Sequence, residues 1–176
     1  MQSVAQGDQA AFGVLLRRHV DALYTYANRL GQSPGLAEDL VQETWLAAWQ
    51  HARRFNPRKA KLTTWLHRIL HNKFIDFTRK SRVQYDDNAV AAALDTFNAD
   101  DTEQNRQSSA LLEALIAQLP QDQKAAIVLT HVQGFGNRDV AQILGKGLRA
   151  TESLLATARN NLKTAFNQQT SEQLSR

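Results

Sequence analysis

A chain of 176 residues, 43% hydrophobic and 22% charged, is long enough for one globular domain or two small ones. It contains no cysteine, which excludes disulfides, thiol catalysis and thiolate zinc sites and fits a reducing compartment. The net charge of +4 is modest, no apolar run is long enough to cross a bilayer, and the polar start MQSVAQGDQAAF has no signal-peptide pattern, so a cytoplasmic protein without membrane insertion is expected.

Charge is unevenly spread. Residues 1–82 carry 13 Lys/Arg against 6 Asp/Glu, residues 83–108 carry 1 against 6, and residues 109–176 carry 7 against 5. Between Arg53 and Arg82 there are ten basic residues and a single acidic one, Asp76. Such a surface attracts polyanions.

Helical periodicity runs through most of the chain, and the class is all-α. A first helix is expected from Gln9 to Leu30, ended by Gly31 and the Ser33-Pro34-Gly35 turn. A second runs from Leu36 to Phe55, stopped by Asn56-Pro57, and a third from Leu62 to Lys80; the three pack as a bundle. The acidic stretch 83–108 reads as a linker able to carry a short Ala-rich helix. Helical patterning resumes at Leu111, breaks at Pro120 and continues to about Gln133. Asn137 is placed to cap a short helix, RDVAQILG; Gly145 to Gly147 leave room for a tight turn; a longer helix follows from Leu148 to Phe166. Short helix, glycine turn and long helix are the pattern of a helix-turn-helix, whose second helix enters the DNA major groove. A helical hairpin that merely packs has the same pattern. Two small helical domains, 1–82 and 109–176, joined by the acidic linker, are therefore expected.

Four segments in order, GDQAAFGVLLRRH, DLVQETWLAAW, FNPRKAKLTTWLHRILHNKFIDFTRK and LPQDQKAAIVLTHVQGF, followed by the helix-turn-helix, resemble the bacterial sigma-70 family in its small extracytoplasmic-function group. The resemblance covers nearly the whole chain. It implies a first domain like sigma region 2, which holds core RNA polymerase and opens the -10 element, and a second like region 4, which reads the -35 element. It also implies promoter DNA and an anti-sigma factor as partners.

Three faces follow. In the second helix Leu36, Leu40, Val41, Trp45, Ala48 and Ala52 fall on the buried arc, while Leu46 lies amid Asp39, Gln42, Glu43, Gln50 and Arg53 on the far one. Leu46 is either an incidental exposed leucine or an apolar anchor in a polar rim. The resemblance makes Asp39, Gln42, Glu43, Leu46 and Trp49 the polymerase contacts. In the third helix Leu62, Leu66, Ile69, Leu70, Phe74 and Phe77 share the buried arc. Thr64, Arg68, His71, Asn72 and Arg79 line the opposite one, with Trp65 at its border or in the core. Cations hold phosphates and a side-chain amide pairs with exposed base edges, so this face suits single-stranded DNA. With the resemblance, the -10 set is Asn56, Arg58, Lys59, Lys61, Thr64, Trp65, Arg68, Asn72, Arg79 and Lys80, and Asp76 is an internal helix brace. In the last helix Leu148, Leu155, Ala158, Leu162 and Phe166 form the core stripe, with Arg159 near the buried side. The implied -35 contacts are Arg138, Arg149, Glu152, Ser153, Thr157 and Asn160. That face has few cations, and Leu154, Thr157 and Lys146 stand where the family often has other residues.

No nucleophile, base and orienter set, phosphate-binding glycine loop or metal-ligand set is present; His67 and His71, four apart, lack a third ligand. The chain is read as an alternative sigma factor, not an enzyme, with no cofactor or metal. The rivals are a helix-turn-helix regulator that binds duplex DNA without polymerase, and a degenerate sigma-like interaction protein.

Overall fold

A computed structural model describes residues 1–31, 33–84 and 103–174, with side chains for 1–31, 33–81 and 110–168. Among the described residues there are only helices and turns. A single turn, α1 (Gln2–Ala5), precedes α2 (Gln9–Gly31), which starts where Asp8 Oδ1 accepts the Ala11 N–H at 2.9 Å. That bond satisfies one of the free donors of the first turn. Ser33 and Pro34 then open α3 (Pro34–Gln50): Pro fills a position whose N–H has no helical partner, and the serine hydroxyl faces Leu36 N. The expected second helix ran to Phe55; the α-helix stops at Gln50, and a 3-10 turn, Ala52–Arg54, completes the segment.

Asn56 shapes the next loop, its Oδ1 accepting the Arg58 N–H at 2.9 Å and its carbonyl the Lys59 N–H at 3.0 Å. α4 (Leu62–Gln84) continues past the expected boundary, and α5 (Glu103–Ala117) begins inside the stretch expected to be linker. The expected Ala-rich helix lies outside the described residues. After Pro120 come α6 (Gln121–Ile127) and a π-helical turn, Val128–Val132. The wider turn brings Gln133 and Phe135 back toward α2 and α4, with Phe135 N–H donating to the Leu129 carbonyl at 3.0 Å. α7 (Asn137–Leu144) and α8 (Leu148–Leu174) make the helix-turn-helix. Asn137 is the first helical residue and not the cap; Gly136 takes the cap position.

The apolar stripes of α2 (Leu23, Tyr26, Leu30), α3 (Leu40, Val41, Trp45) and α4 (Leu66, Leu70, Phe74) close the first bundle. Burial of a leucine of this kind contributes about 1.5 to 3 kcal/mol. Ile127, Leu129, Val140, Ile143 and Leu155 close the second, and the two cores are one continuous cluster. The two sets of helices pack on each other, α4 meeting α7 as well as α3. Phe77 and Leu148, expected to be buried, are 45% and 38% exposed.

Gly145 ends α7 with φ of 64°, the left-handed region, and the Lys146 N–H closes the turn on the Ala141 carbonyl at 3.0 Å. Gly147 has ordinary φ and open space around it. Gly145→Ala is therefore expected to lower stability by about 1 kcal/mol, and Gly147→Ala to change it little, in thermal or urea melts. Equal effects would contradict the assigned turn.

Candidate polymerase and nucleic-acid interfaces

On α3, Asp39, Gln42 and Glu43 are exposed and Leu46 is 57% exposed, the highest value among the described large hydrophobic side chains. Trp49 is half-buried, its ring edge-on to Phe12 at 5.0 Å. Phe12 also meets Trp45 at 5.5 Å, so one aromatic stack anchors this face to the core. Glu43 pairs with Lys73 of α4 at 2.9 Å, which fixes α3 against α4 on the solvent side. The five residues therefore form one surface: an apolar tip, a held indole and a rim of carboxylates and amide.

On α4 the expected strand-binding face divides in two. Arg68, Asn72 and Arg79 share one exposed edge, and Arg79 is held by Asp76 at 3.1 Å, three residues earlier. Lys80 is exposed near them, and Arg58, Lys59 and Asn56 are exposed on the preceding loop. Trp65 is half-buried and tilted against Phe55 at 5.4 Å. Asn56 has a second duty, since its amide oxygen is committed to the loop backbone. An open groove of about 500 Å³ lies beside this loop, lined in part by Gln2, Arg53, Phe55 and Pro57.

Thr64 and His71, assigned to the outward face, are 1% and 4% exposed. The second set of helices covers them. Thr64 Oγ1 donates to Asp139 Oδ1 of α7 at 3.0 Å, and Lys61 Nζ pairs with the other oxygen of that carboxylate at 3.3 Å. His67, 3% exposed, has Phe135 edge-on at 4.8 Å and its Nδ1 2.8 Å from the Thr63 carbonyl. His71 Nδ1 lies 3.0 Å from the Tyr26 hydroxyl. Both imidazoles have one nitrogen engaged within the fold. Further along the same seam, Arg29 pairs with Glu113 at 2.7 Å, Gln133 Nε2 donates to the Ala22 carbonyl at 3.1 Å, and Gln121 reaches Thr78 at 3.4 Å. The polar residues on this side of α4 meet protein and not solvent, which sequence reasoning missed. No local signal links Asp139 to Lys61, because the two lie far apart in the chain.

On α8, Arg149, Glu152, Ser153, Thr157 and Asn160 are exposed on one side, and Arg138 is exposed on α7. Arg159, expected near the buried side, is exposed, and Thr151 is fully buried instead, its hydroxyl donating to the Gly147 carbonyl at 3.1 Å. Lys146 pairs with Asp122 at 2.8 Å, so the cation in the turn ties the helix-turn-helix to α6. Thr157 donates to its own helix at Ser153 O. The remaining face has Arg149 as the cation at its start, Glu152 as an acidic neighbour, and neutral polar groups beyond them.

The sigma-70 region 2 family profile matches residues 15–83, and the sigma-70 region 4 profile matches residues 109–162. The chain is 32% identical to the extracytoplasmic-function RNA polymerase sigma factor SigE of Mycolicibacterium smegmatis over 96% of its length and 67% of that protein. It is 34% identical to the RNA polymerase sigma factor NccH of Alcaligenes xylosoxydans xylosoxydans over 90% of its length and 88% of that protein. The fold is similar to that of the sigma factor RpoE crystallised with the anti-sigma factor NepR from Bartonella quintana, with a TM-score of 0.72, 29% identity and coverage of 89% and 97% of the two chains.

The buried imidazoles make the packing pH-dependent. Burial pushes His71 down to about 4, Asp122 opposing the shift and Lys146 adding to it; burial lowers His67 as well. Between the ordinary value near 6.5 and about 4, the unfolded chain binds a proton at residue 71 that the folded chain refuses. The stability from a neutral His71 is thus complete above that window and lost as pH falls through it, by up to about 3 kcal/mol. Melts across this range are expected to show the loss, and His71→Gln to flatten the profile. A His71→Gln profile as steep as that of the wild type would place the titration elsewhere.

Proposed function

The chain belongs to the sigma-70 family, in its extracytoplasmic-function group, and from that premise we propose how its three faces divide the work of an alternative sigma factor, which binds core RNA polymerase and directs promoter-specific initiation of transcription. The α3 surface of Asp39, Gln42, Glu43, Leu46 and Trp49 docks on the polymerase. Leu46 enters a pocket on the partner, the polar residues close the rim, and Trp49, already ordered by Phe12, loses little freedom on binding.

Strand capture falls to the cationic loop and the exposed edge of α4. Arg58, Lys59 and Lys61 hold phosphates, Arg68 and Arg79 continue the track, and Asn72 pairs with a base edge once the strand is open. Trp65, standing on Phe55, offers a ring for a base to stack on. Captured bases offset unstacking, which costs roughly a few kcal/mol each. Chemistry belongs to the polymerase, and this chain contributes binding energy alone. The α8 face, with Arg149 as its leading cation, reads the -35 duplex through one charged contact and a few neutral hydrogen bonds. An anti-sigma factor is the expected regulator, and a cytoplasmic location fits that work.

The observation that carries this reading is the similarity over both regions, joined to the exposed edge of Arg68, Asn72 and Arg79. Run-off transcription by purified core polymerase, with and without this chain on a promoter library, tests it: start sites that depend on the chain are expected, and their absence would remove the reading. Leu46→Ala is expected to leave the melting temperature nearly unchanged while weakening polymerase binding by about 1 to 2 kcal/mol. A stability loss of about 2 to 5 kcal/mol would instead mark a core leucine.

Both Asn72→Ala and the double change Arg58→Ala, Lys59→Ala are expected to lower open-complex formation. Only the double change should flatten its salt dependence, because phosphate contacts release counterions and base contacts do not. Equal salt slopes for the two would contradict this division.

A further inference from the structure

The apolar stripe of α4 runs past the bundle that covers it. Leu66, Leu70 and Phe74 are closed over by α2 and α3, and Phe77, next on the same arc, is 45% exposed. It lies five residues from Asn72, roughly 140° round the helix, so its ring is turned away from the edge proposed to take the strand. Its surroundings follow from the direction of α3. Phe55, beyond the end of α3, touches Trp65 in the first turn of α4. A Cβ placed on Gly31, the last residue of α2, would sit 3.7 Å from the Phe74 ring and against Leu36 at the start of α3. The two helices are therefore antiparallel, and between those ends Glu43 is joined to Lys73 at 2.9 Å.

One turn beyond Lys73 is Phe77, and one turn before Glu43 is Asp39; in antiparallel helices these steps run the same way. Phe77 thus stands at the Asp39 end of the α3 surface, about 6 Å along from the ion pair, while Leu46 lies about 4.5 Å along on the other side. The row that results crosses from one helix to the other: Leu46, the pair of Glu43 and Lys73, then Phe77 with Asp39. Two apolar side chains set among charged and amide groups are the composition of a protein-binding surface, where a few apolar contacts hold most of the binding energy. Asp39 and Glu43 repel a phosphate backbone, which makes the occupant a protein. Lys73 shapes the row. Its side chain is 28% exposed and that of Glu43 61%, so the lysine lies along the fold and presents the carboxylate outward. A held carboxylate has less freedom to lose when a partner arrives.

We propose that the surface docking on core RNA polymerase crosses from α3 onto α4, with Phe77 as a second apolar contact beside Leu46 and Lys73 as the positioning residue that holds Glu43. The extension rests on the reading of α3 as the polymerase face, and continuity with that face names the occupant.

The test titrates the full chain with purified core polymerase and measures its melting temperature and its binding of a labelled mixed-sequence single strand beside that affinity. Phe77→Ala is expected to weaken polymerase binding about fivefold or more, with melting temperature and strand binding unchanged. Val132→Ala, which trims an exposed apolar side chain of the second set of helices, should leave all three unchanged. Lys73→Met should weaken polymerase binding about threefold, Lys73→Arg should retain it, and Lys73→Met should have no further effect in a chain already carrying Glu43→Gln. Loss of binding through Leu46→Ala but not through Phe77→Ala would confine the surface to α3 and overturn the extension alone. Wild-type affinity in both variants would overturn the α3 reading and the extension with it. A drop in melting temperature for Phe77→Ala would return the ring to the core, and weaker strand binding would move it to the DNA face. A wild-type dimer that Phe77→Ala dissociates, at unchanged polymerase affinity, would make a second copy of the chain its occupant. An equal loss from Val132→Ala would reduce the effect to general apolar adhesion. Each of these four overturns the proposal, and equal losses from Lys73→Met with and without Glu43→Gln would remove Lys73 from its positioning role.

Discussion

The burial of Leu66, Leu70 and Phe74 between α2 and α3 is the contact on which the rest depends. It fixes the rotation of α4, and with it the direction of every other side chain on that helix. Once these three point inward, Arg68, Asn72 and Arg79 must lie along a solvent edge, and Thr64, His67 and His71 along a third side. The aromatic stack of Phe12 on Trp45 and Trp49 performs the same service for α3. It locks the roll of that helix, which brings Leu46 to the surface. Two faces of different chemistry thus derive their geometry from one small core.

The second set of helices closes on apolar residues of its own and adds polar links. Lys146 to Asp122 and Asn161 to Gln123 tie the turn and α8 to α6, while Thr151 and Thr130 close hydrogen bonds on their own helices. The charge of the lysine in the turn is engaged within the fold, paired with Asp122 of α6.

Most of the helices were legible from periodicity, because an amphipathic helix writes its buried side at regular spacing, and Leu66, Leu70 and Phe74 do so plainly. Leu46 was legible as an exception to that spacing, and its exposure agrees. Helix ends were less so: α3 stops at Gln50, where the chain passes into a 3-10 turn closed by the Arg54 N–H on the His51 carbonyl, and α5 starts at Glu103, inside the stretch that composition marks as linker. The misplacement of Thr64 and His71 has a physical cause. A helix face that meets another polar surface looks like one that meets water, since both need hydrogen-bonding groups. Asp139 could not be found for a related reason, as an acidic residue in the first turn of a helix reads as a favourable charge for that helix alone.

The chain has three tryptophans, all in α3 and α4: Trp45 buried beneath the face proposed to dock on polymerase, Trp49 at its border and Trp65 beside the loop proposed to take the strand. Indole emission depends on solvent contact and is quenched by stacking. The helix-turn-helix is optically silent in this range. The protein therefore carries a built-in fluorophore at each of the two surfaces proposed for the first bundle, and the arrival of a DNA strand can be followed in real time without a label.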